Sequence, residues 1–393
     1  MKSIFTIFCA LSISFIPLQS EERSHAEKDL KNRPSFSWNR LPLYAHVRKK
    51  IAYTPEEIEY LATFPLLTFE KSNGHEDSGS TEAGTLKAAR AVKAINPETK
   101  ILYYRNVFVH YQGYAANQSL EGMRRAFLRG ERGEANLVRG SVPAYDLSNR
   151  NLRKWWINAA TEVCLDPAID GIFLDGIVKV LEPSYLKLEI GEKKKAEVLQ
   201  GYSDLLAGTR KALGPDQLIV GNILRARFPD AGLEAMADVD GSYIEGFEGA
   251  VRLSKKDYVA KGMAAFQKAA RQGSLIAFTC KYGHNLQDAD EAERSTEMKK
   301  EQADLDRSER AVYLISMFLV CAEKYSYFQL HGGYDALRSQ TWMKHIPEYD
   351  RPLGAPKGPA LRKGYTYSRE FEYASVQLDI EKETAEILWK NPQ

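Results

Sequence analysis

Residues 169–177 read IDGIFLDGI, in which three large apolar residues lead directly into the carboxylate of Asp175 and the glycine Gly176. A continuous apolar run of this length is typical of a strand covered on both faces, as in a parallel sheet. Burying a charge is costly unless that charge is paired. We therefore expect Asp175 to serve the function of the protein, with a cap on the backbone amides of the next loop as the structural alternative.

The segment 171–177 is one of eight stretches that the apolar pattern predicts to be strands. They span residues 65–71, 100–108, 142–148, 171–177, 217–224, 241–248, 274–282 and 325–333. Most connections between them show the three- and four-residue apolar spacing of helices. The predicted helices span 149–164, 194–213, 254–273 and 307–324. Ser148 is the expected N-cap of the first, in which Trp155 and Trp156 share the apolar face and are assigned to the core.

Strands that alternate with helices form parallel βαβ units. Eight units in a chain of 393 residues predict an α/β protein with a (β/α)8 TIM barrel. An open doubly wound sheet is the runner-up, but the chain lacks the glycine-rich first turn of dinucleotide binders. The predicted divisions are a signal peptide at 1–20, a disordered linker at 21–35, the barrel at 36–335 and a C-terminal extension with a small β-hairpin at 336–393.

The first twenty residues carry one lysine and then an apolar run from Ile4 to Leu18. This pattern predicts a secretory signal peptide. An uncleaved membrane anchor is the alternative, but the run is shorter than the roughly 20 residues that a bilayer needs and contains serines. We therefore expect a secreted or periplasmic protein that makes no membrane contact after cleavage. The oligomeric state is left open.

The composition narrows the classes of function. The 54 basic and 52 acidic residues give a net charge of +2, so no broad basic surface is expected for nucleic acid. Of the four cysteines, Cys9 lies in the signal peptide, and Cys164, Cys280 and Cys321 lie in apolar stretches typical of buried thiols. The seven histidines show no metal-ligand spacing, and no nucleotide or redox motif occurs. We therefore expect neither cofactor nor metal.

In a barrel of this kind, catalytic groups lie at the C-terminal ends of the strands. The predicted strand ends carry the polar residues Glu70, Arg105, Asn106, Asp146, Asp175, Asn222, Glu245, Glu248, Lys281, Tyr282 and His331. We assign Asp175 and Glu245 as the catalytic pair and the other nine as substrate-binding residues. A turn or cap is the alternative for Asp146, and a loop or salt-bridge position is the alternative for Glu248.

Two carboxylates that face each other across a barrel mouth suit cleavage of a glycosidic bond, since one donates a proton and the other attacks the sugar or activates water. Different surroundings then separate their pKa values. We expect Asn222 to bond a sugar hydroxyl. Arg105, Lys281 and His331 are expected to bind an anionic substituent or to tune the acids, and tyrosines to stack on sugar faces.

Several segments together resemble secreted bacterial glycoside-hydrolase-like proteins with TIM barrels. They are FSWNRLPLYAH (36–46), FPLLTFEKSNG (64–74), NPETKILYYRN (96–106), YDLSNRNLRKWW (145–156), DGIFLDGI (170–177), VDGSYIEGFE (239–248) and the tail RPLGAPKGPALRKGYTYSREFEYASVQLDI (351–380). The resemblance covers most of the chain after Ser35 and implies a (β/α)8 barrel and a hydrolase without an established substrate.

A carboxylate after strand 4 and another after strand 6 are similar to the glycosidase clan that contains α-galactosidases and α-glucosidases. That resemblance implies that Asp175 is the nucleophile and Glu245 the proton donor, although the donor in that clan is commonly Asp. The clan with glutamates after strands 4 and 7 does not match, because FTCKYG (278–283) has no acid. Two other hypotheses stay open: a carbohydrate-binding barrel without catalysis, and a metal-dependent hydrolase with Asp146, Asp175 and Glu245 as oxygen ligands.

Overall fold

The computed structural model describes residues 32–247, 250, 252–281, 297–339 and 341–391, and for 297–307 the backbone only. The predicted signal peptide and residues 21–31 of the predicted linker lie outside the described residues. In the described part of the chain, no helix is long and apolar enough to cross a membrane.

Eight parallel strands form one sheet in chain order. They are β1 (Ala45–Val47), β2 (Leu66–Phe69), β3 (Lys100–Asn106), β4 (Gly171–Asp175), β5 (Leu218–Asn222), β6 (Gly241–Glu245), β7 (Leu275–Lys281) and β8 (Ser326–His331). The sheet closes where Phe328 of β8 donates to the carbonyl of Pro42 at 2.8 Å and accepts from the amide of Tyr44 at 2.9 Å. The predicted TIM barrel is confirmed.

Nine helices lie in the described residues and cover or cap this barrel. They are α1 (Pro55–Leu61), α2 (His75–Ser78), α3 (Thr81–Ile95), α4 (Arg150–Val163), α5 (Ile177–Leu181), α6 (Lys187–Ile190), α7 (Glu192–Leu213), α8 (Lys255–Arg271) and α9 (Glu297–Cys321). Helix α4 begins one residue later than predicted, because the side chain of Asn149, not that of Ser148, accepts a bond from the first turn. Of the two tryptophans of this helix that were assigned to the core, Trp156 is fully buried and Trp155 is partly buried.

The strand predicted at 142–148 is not part of the barrel. Strand β3 pairs directly with β4, with Asn106 opposite Asp175, so no strand lies between them. Residues 142–148 instead form isolated bridges within the long β3–α4 connection, such as the antiparallel bridge of Val109 with Ala144. The barrel strand missing from the prediction is β1, which overlaps the end of the segment 36–46 and is only three residues long.

Alternation along the strands sorts the side chains into an inner and an outer set, because successive residues of a strand point to opposite faces. The barrel interior is filled by a cluster that includes Leu102, Tyr104, Phe173, Val220 and Tyr243. A second and larger cluster lies between the strands and the helices. A polar residue two positions after an inner residue therefore points into the barrel mouth, whereas its immediate neighbour faces the helices.

The C-terminal extension forms a four-stranded antiparallel sheet in the order β12, β11, β10, β9. Its strands are β9 (Leu361–Lys363), β10 (Thr366–Glu370), β11 (Ala374–Asp379) and β12 (Thr384–Trp389). The predicted hairpin, β11 with β12, is confirmed and belongs to this larger sheet. Arg369 joins the sheet to α9, since its guanidinium donates to the carbonyl of Leu319 at 3.0 Å.

Candidate active site

A cavity of about 360 Å³ opens at the C-terminal mouth of the barrel. The inner-face positions that close the strands supply its floor, and the loops that follow supply its rim. Strands β3 to β6 and the residue that follows β2 contribute Glu70, Tyr104, Asn106, Asp175, Asn222, Tyr243 and Glu245. The structure therefore brings the two predicted catalytic carboxylates into one cavity, together with three predicted substrate-binding residues.

Asp175 is held at the floor of this cavity by three side-chain donors. The hydroxyl of Tyr104 donates to Oδ2 at 2.6 Å, and Nδ2 of Asn106 donates to the same oxygen at 3.0 Å. Nδ2 of Asn222 donates to Oδ1 at 3.2 Å. Burial by itself raises the pKa of Asp175, but the bonds from Tyr104, the Gly176 amide and Asn222, with the nearby charge of Lys71, outweigh burial and lower that pKa. The carboxylate is therefore ionised at neutral pH.

The local sequence explains why these donors point at Asp175. Oδ1 of Asn106 accepts the backbone N–H groups of Phe108 and Val109 at 3.0 and 2.6 Å, which turns Nδ2 toward the carboxylate. Gly176 has φ +83°, a left-handed conformation that favours glycine. A Cβ at this position would lie 2.3 Å from Oδ1 of Asn106. The Asp-Gly pair that ends β4 thus follows from the close approach of β3.

Glu245, the last residue of β6, has a different environment. Its side chain is 49% exposed and lines the same cavity as Asp175. The guanidinium of Arg225 lies 3.1 Å from Oε2 and is the one charged partner that the described residues give it. Glu245 is therefore the more accessible of the two to a ligand and to water, whereas Asp175 is partly buried and bonded on three sides.

A third carboxylate, Glu70, is 5% exposed and bound in ion pairs. Nζ of Lys71 contacts its Oε1, and Nη1 of Arg48 lies 3.3 Å from its Oε2 without hydrogen-bond geometry. Lys71 also lies over the rings of Tyr104 and Tyr111, 5.4 and 5.3 Å from their centroids. Glu70 therefore positions a cation beside Asp175.

Other predicted binding residues lie outside the cavity. Arg105 has the opposite strand parity to Asn106 and is 2% exposed, with its guanidinium 4.5 Å from the Tyr114 ring on the helix side. Asp146 is buried in the β3–α4 connection, where Lys194 lies 2.7 Å from its Oδ2. The structure brings neither residue to the barrel mouth.

The remaining predicted binding residues are Lys281, His331, Glu248 and Tyr282, and they differ in their environments. Lys281 is the exposed end of β7 and does not line the cavity. His331 is 1% exposed and stacks on Tyr334 with ring centroids 4.2 Å apart. Burial is the main reason that the pKa of His331 falls to about 3, so its ring is neutral. Glu248 and Tyr282 lie outside the described residues.

The prediction missed several basic residues of the rim. Arg139 lies in the β3–α4 connection, Lys179 in α5, and Arg225 and Arg227 follow β5. A sequence signal existed for three of them, because Lys179, Arg225 and Arg227 occur within five residues of the strand ends at Asp175 and Asn222. Arg139 had no such signal, because it lies far along the β3–α4 connection from the end of β3.

The three acids proposed as metal ligands, Asp146, Asp175 and Glu245, do not lie in one site. Asp146 is paired with Lys194 away from the cavity that holds Asp175 and Glu245. Within the described residues, no cluster of three or more His, Cys, Asp or Glu side chains is placed to hold a metal ion.

Comparison with known proteins identifies a family. The sequence model described as hypothetical glycosyl hydrolase family 15 matches residues 93–375, a range that contains Asp175 and Glu245. No curated protein matches the sequence.

Among similar solved structures is the noncanonic maltogenic α-amylase AmyB from Thermotoga neapolitana, at 11% identity over 86% of each chain with a TM-score of 0.48. The galactosidase domain of the α-galactosidase-sucrose kinase AgaSK is 12% identical over 86% of this chain and 46% of that one, with a TM-score of 0.46. A variant of the GH36 α-galactosidase AgaA from Geobacillus stearothermophilus is 9% identical over 88% of this chain and 48% of that one, with a TM-score of 0.46.

Proposed function

This chain belongs to hypothetical glycosyl hydrolase family 15, and we propose that it cleaves O-glycosidic bonds of a poly- or oligosaccharide with the carboxylates of Asp175 and Glu245. One observation carries the proposal: both side chains line one cavity, yet their surroundings differ. Asp175 is enclosed by donors that favour its charged form, and Glu245 is half exposed. A glycosidase needs one ionised carboxylate and a second one that carries a proton.

In the proposed reaction, an oxygen of Asp175 attacks the anomeric carbon as the glycosidic C–O bond breaks. Glu245 gives its proton to the departing oxygen. A water molecule then loses a proton to Glu245 and attacks the same carbon, which releases Asp175. Arg225, 3.1 Å from Oε2 of Glu245, must turn aside for the proton transfer. Tyr104, Asn106 and Asn222 keep the attacking carboxylate in place throughout.

The test is hydrolysis of a broad panel of oligosaccharides by the purified protein, with products identified by mass spectrometry. On the substrate so identified, we expect Asp175→Asn and Glu245→Gln each to lower turnover by at least about 10²-fold. Asp216→Asn and Glu386→Gln change exposed acids outside the cavity and serve as matched controls. Full activity in either variant of the pair contradicts the assignment. Retention of anomeric configuration, followed by NMR, tests the role of Asp175 as nucleophile.

A carbohydrate-binding barrel without catalysis is the second candidate. The observation that favours it is the ion pair between Arg225 and Glu245, which engages the carboxylate that must deliver a proton. Binding to glycans without any product, in both the native protein and Asp175→Asn, supports this candidate over the enzyme.

We also propose that the protein is exported, on the strength of the signal-peptide pattern in residues 1–20. N-terminal sequencing of the protein recovered from the periplasm and from the medium tests this. A mature chain that still begins at Met1 contradicts it.

A further inference from the structure

The charge of the cavity differs from that of the chain. The whole sequence is nearly balanced, with 54 basic and 52 acidic residues. The cavity is lined by six cationic side chains and three acidic ones: Arg48, Lys71, Arg139, Lys179, Arg225 and Arg227 against Glu70, Asp175 and Glu245. His46 adds no charge, because burial and then Lys71 lower its pKa to about 3. The barrel mouth therefore holds an excess of three positive charges.

Half of these cations already have an acidic neighbour. Arg48 and Lys71 contact Glu70, and Arg225 contacts Glu245. Lys71 also lies near Asp175, so these three cations face the three acids of the cavity. The excess is therefore carried by the remaining three, which we call the rim cations: Arg139, Lys179 and Arg227.

The rim cations have no ion pair with any carboxylate of the described residues. Lys179 lies over the ring of Tyr185, 5.9 Å from its centroid, and the side chain of Arg139 is exposed. Arg227 is partly buried, and its Nε is enclosed without a hydrogen-bond partner. A buried donor without an acceptor is unfavourable, and the described part of the protein supplies no acceptor to this Nε.

The fold places the rim cations on one side of the mouth. Arg139 follows β3, Lys179 follows β4 and Arg227 follows β5, and these three strands are neighbours in the sheet. Like charges held close together repel one another. An anion bound among them removes that repulsion, and the planar fork of an arginine fits the paired oxygens of a carboxylate or sulfate.

The electrostatics of Lys179 show that this side adjoins the catalytic pair. Burial is the largest cause that lowers the pKa of Lys179, and Arg139 and Arg227 lower it further. Asp175 and Glu245 act in the opposite direction on the same group. The charge of Lys179 therefore interacts with the charges of both arginines and of both catalytic acids.

We propose that the substrate is an anionic glycan, whose carboxylate or sulfate group is bound by Arg139, Lys179 and Arg227 next to the bond that Asp175 and Glu245 act on. This inference deepens the proposed function and rests on it for the position of the cleaved bond. A neutral glycan would leave the three rim cations without a direct ion-pair partner among the described residues. Carboxylate and sulfate share the chemistry that these side chains recognise, and the experiment separates the two sources.

Binding is measured by calorimetry with the native protein. The probes are oligouronates beside their carboxyl-reduced forms, and sulfated galactan oligosaccharides beside their desulfated forms. We expect one anionic probe to bind at least about tenfold more tightly than its neutral counterpart, with an affinity that falls as salt is raised. The arm that shows the preference identifies the anion as carboxylate or sulfate.

The variants are Arg139→Met, Lys179→Met and Arg227→Met, alone and together. Each is expected to weaken binding of the preferred probe about tenfold, which equals about 1.4 kcal/mol. Arg132→Met, in the same connection as Arg139, and Lys211→Met, on α7, remove exposed cations outside the cavity and should leave affinity unchanged. Equal affinity for the neutral counterparts, full affinity in the triple variant, or no binding to any anionic probe overturns the proposal.

Binding and turnover are read separately on the same probes. Anionic preference without products upholds the substrate class and contradicts hydrolysis. Hydrolysis of neutral probes at rates that the triple variant does not change upholds the enzyme and overturns the anionic substrate.

Discussion

The surroundings of Asp175 predict effects of different size on the free energy of unfolding for two substitutions at this one position. Asp175→Asn keeps one oxygen, which continues to accept from Tyr104 and Asn106. Its new amide group faces Nδ2 of Asn222, but Oδ1 of Asn222 has no partner in the native protein. The Asn222 amide therefore turns over and accepts from the new group, so that all three bonds survive in neutral form.

The free energies follow from this count. A neutral hydrogen bond stabilises by about 1 kcal/mol less than a charge-assisted one, but removal of the charge also removes its desolvation cost. We expect Asp175→Asn to alter the free energy of unfolding by no more than about 1 kcal/mol. Asp175→Ala leaves three side-chain donors without an acceptor, at about 1–3 kcal/mol each before water enters from the open cavity. We expect a net loss of about 2–4 kcal/mol.

Thermal unfolding checks these values, because 1 kcal/mol corresponds to about 2–4 °C in Tm for a domain of about 150–250 residues. Asp175→Asn should melt within about 4 °C of the native protein and Asp175→Ala should melt clearly below it, with Asp216→Asn as the control. Turnover of the identified glycan should fall on the order of 10⁴-fold in both variants. Equal melting of the two variants would refute the role of the carboxylate as shared acceptor, and activity in Asp175→Asn would refute its role in catalysis.

Three further predictions concern neighbouring groups. Glu245→Gln should lower kcat/KM for glycosides with poor leaving groups by about 10²–10⁴-fold and leave kcat/KM for activated aryl glycosides nearly unchanged, because kcat/KM reports the first step and only the former need a proton donor there; equal losses of kcat/KM on both contradict the acid role. Tyr104→Phe removes a bond that lowers the pKa of Asp175, so the low-pH limb of kcat/KM should move to higher pH, and an unmoved limb contradicts this. Because that pKa is lowered on folding, the stability it confers is present at neutral pH and is lost as pH falls through the folded pKa. Gly176→Ala should lower Tm more than Gly79→Ala. Both glycines have left-handed φ, but only a Cβ at 176 would meet a neighbouring atom, Oδ1 of Asn106 at 2.3 Å. Equal losses of Tm contradict the steric argument.

The barrel was predictable because seven of its eight strands are apolar runs long enough to stand out from the helices. β4, at Gly171–Asp175, lies wholly within the predicted 171–177. β1 was not predicted, because a segment of three residues is too short to show a periodicity. Its pairing with β2 is what defines it as a strand. The segment 142–148 has the same apolar pattern as a strand, but its partners lie in its own connection. Pairing is a tertiary property that a local pattern does not contain.

Within the site, every predicted residue that reached the cavity has inner strand parity. Parity alone is not sufficient, because Lys281 and His331 share it with the inner residues Ala277 and Tyr327 and do not line the cavity. Asn106 and Arg105 are consecutive, so only one of them can face the barrel axis. Because Tyr104 points into the barrel and alternate residues share a face, that residue is Asn106. The same rule applied to β3 would have assigned Arg105 to the helix side. Arg139 obeys no such rule, because nothing periodic fixes where a residue of a long connection ends up.

The acid that closes β4 is bound in a way that a structural cap does not require. A cap would bond chiefly to backbone amides of the loop that follows, and Gly176 supplies one such bond. Three other donors are side chains of the inner faces of β3 and β5, the strands on either side of β4. These donors can meet at Asp175 only because residue 176 is a glycine and because the backbone amide of Val109 holds the side chain of Asn106 in place. A chain that only had to end a strand would not need donors from two other strands to keep a carboxylate ionised at the floor of an open cavity.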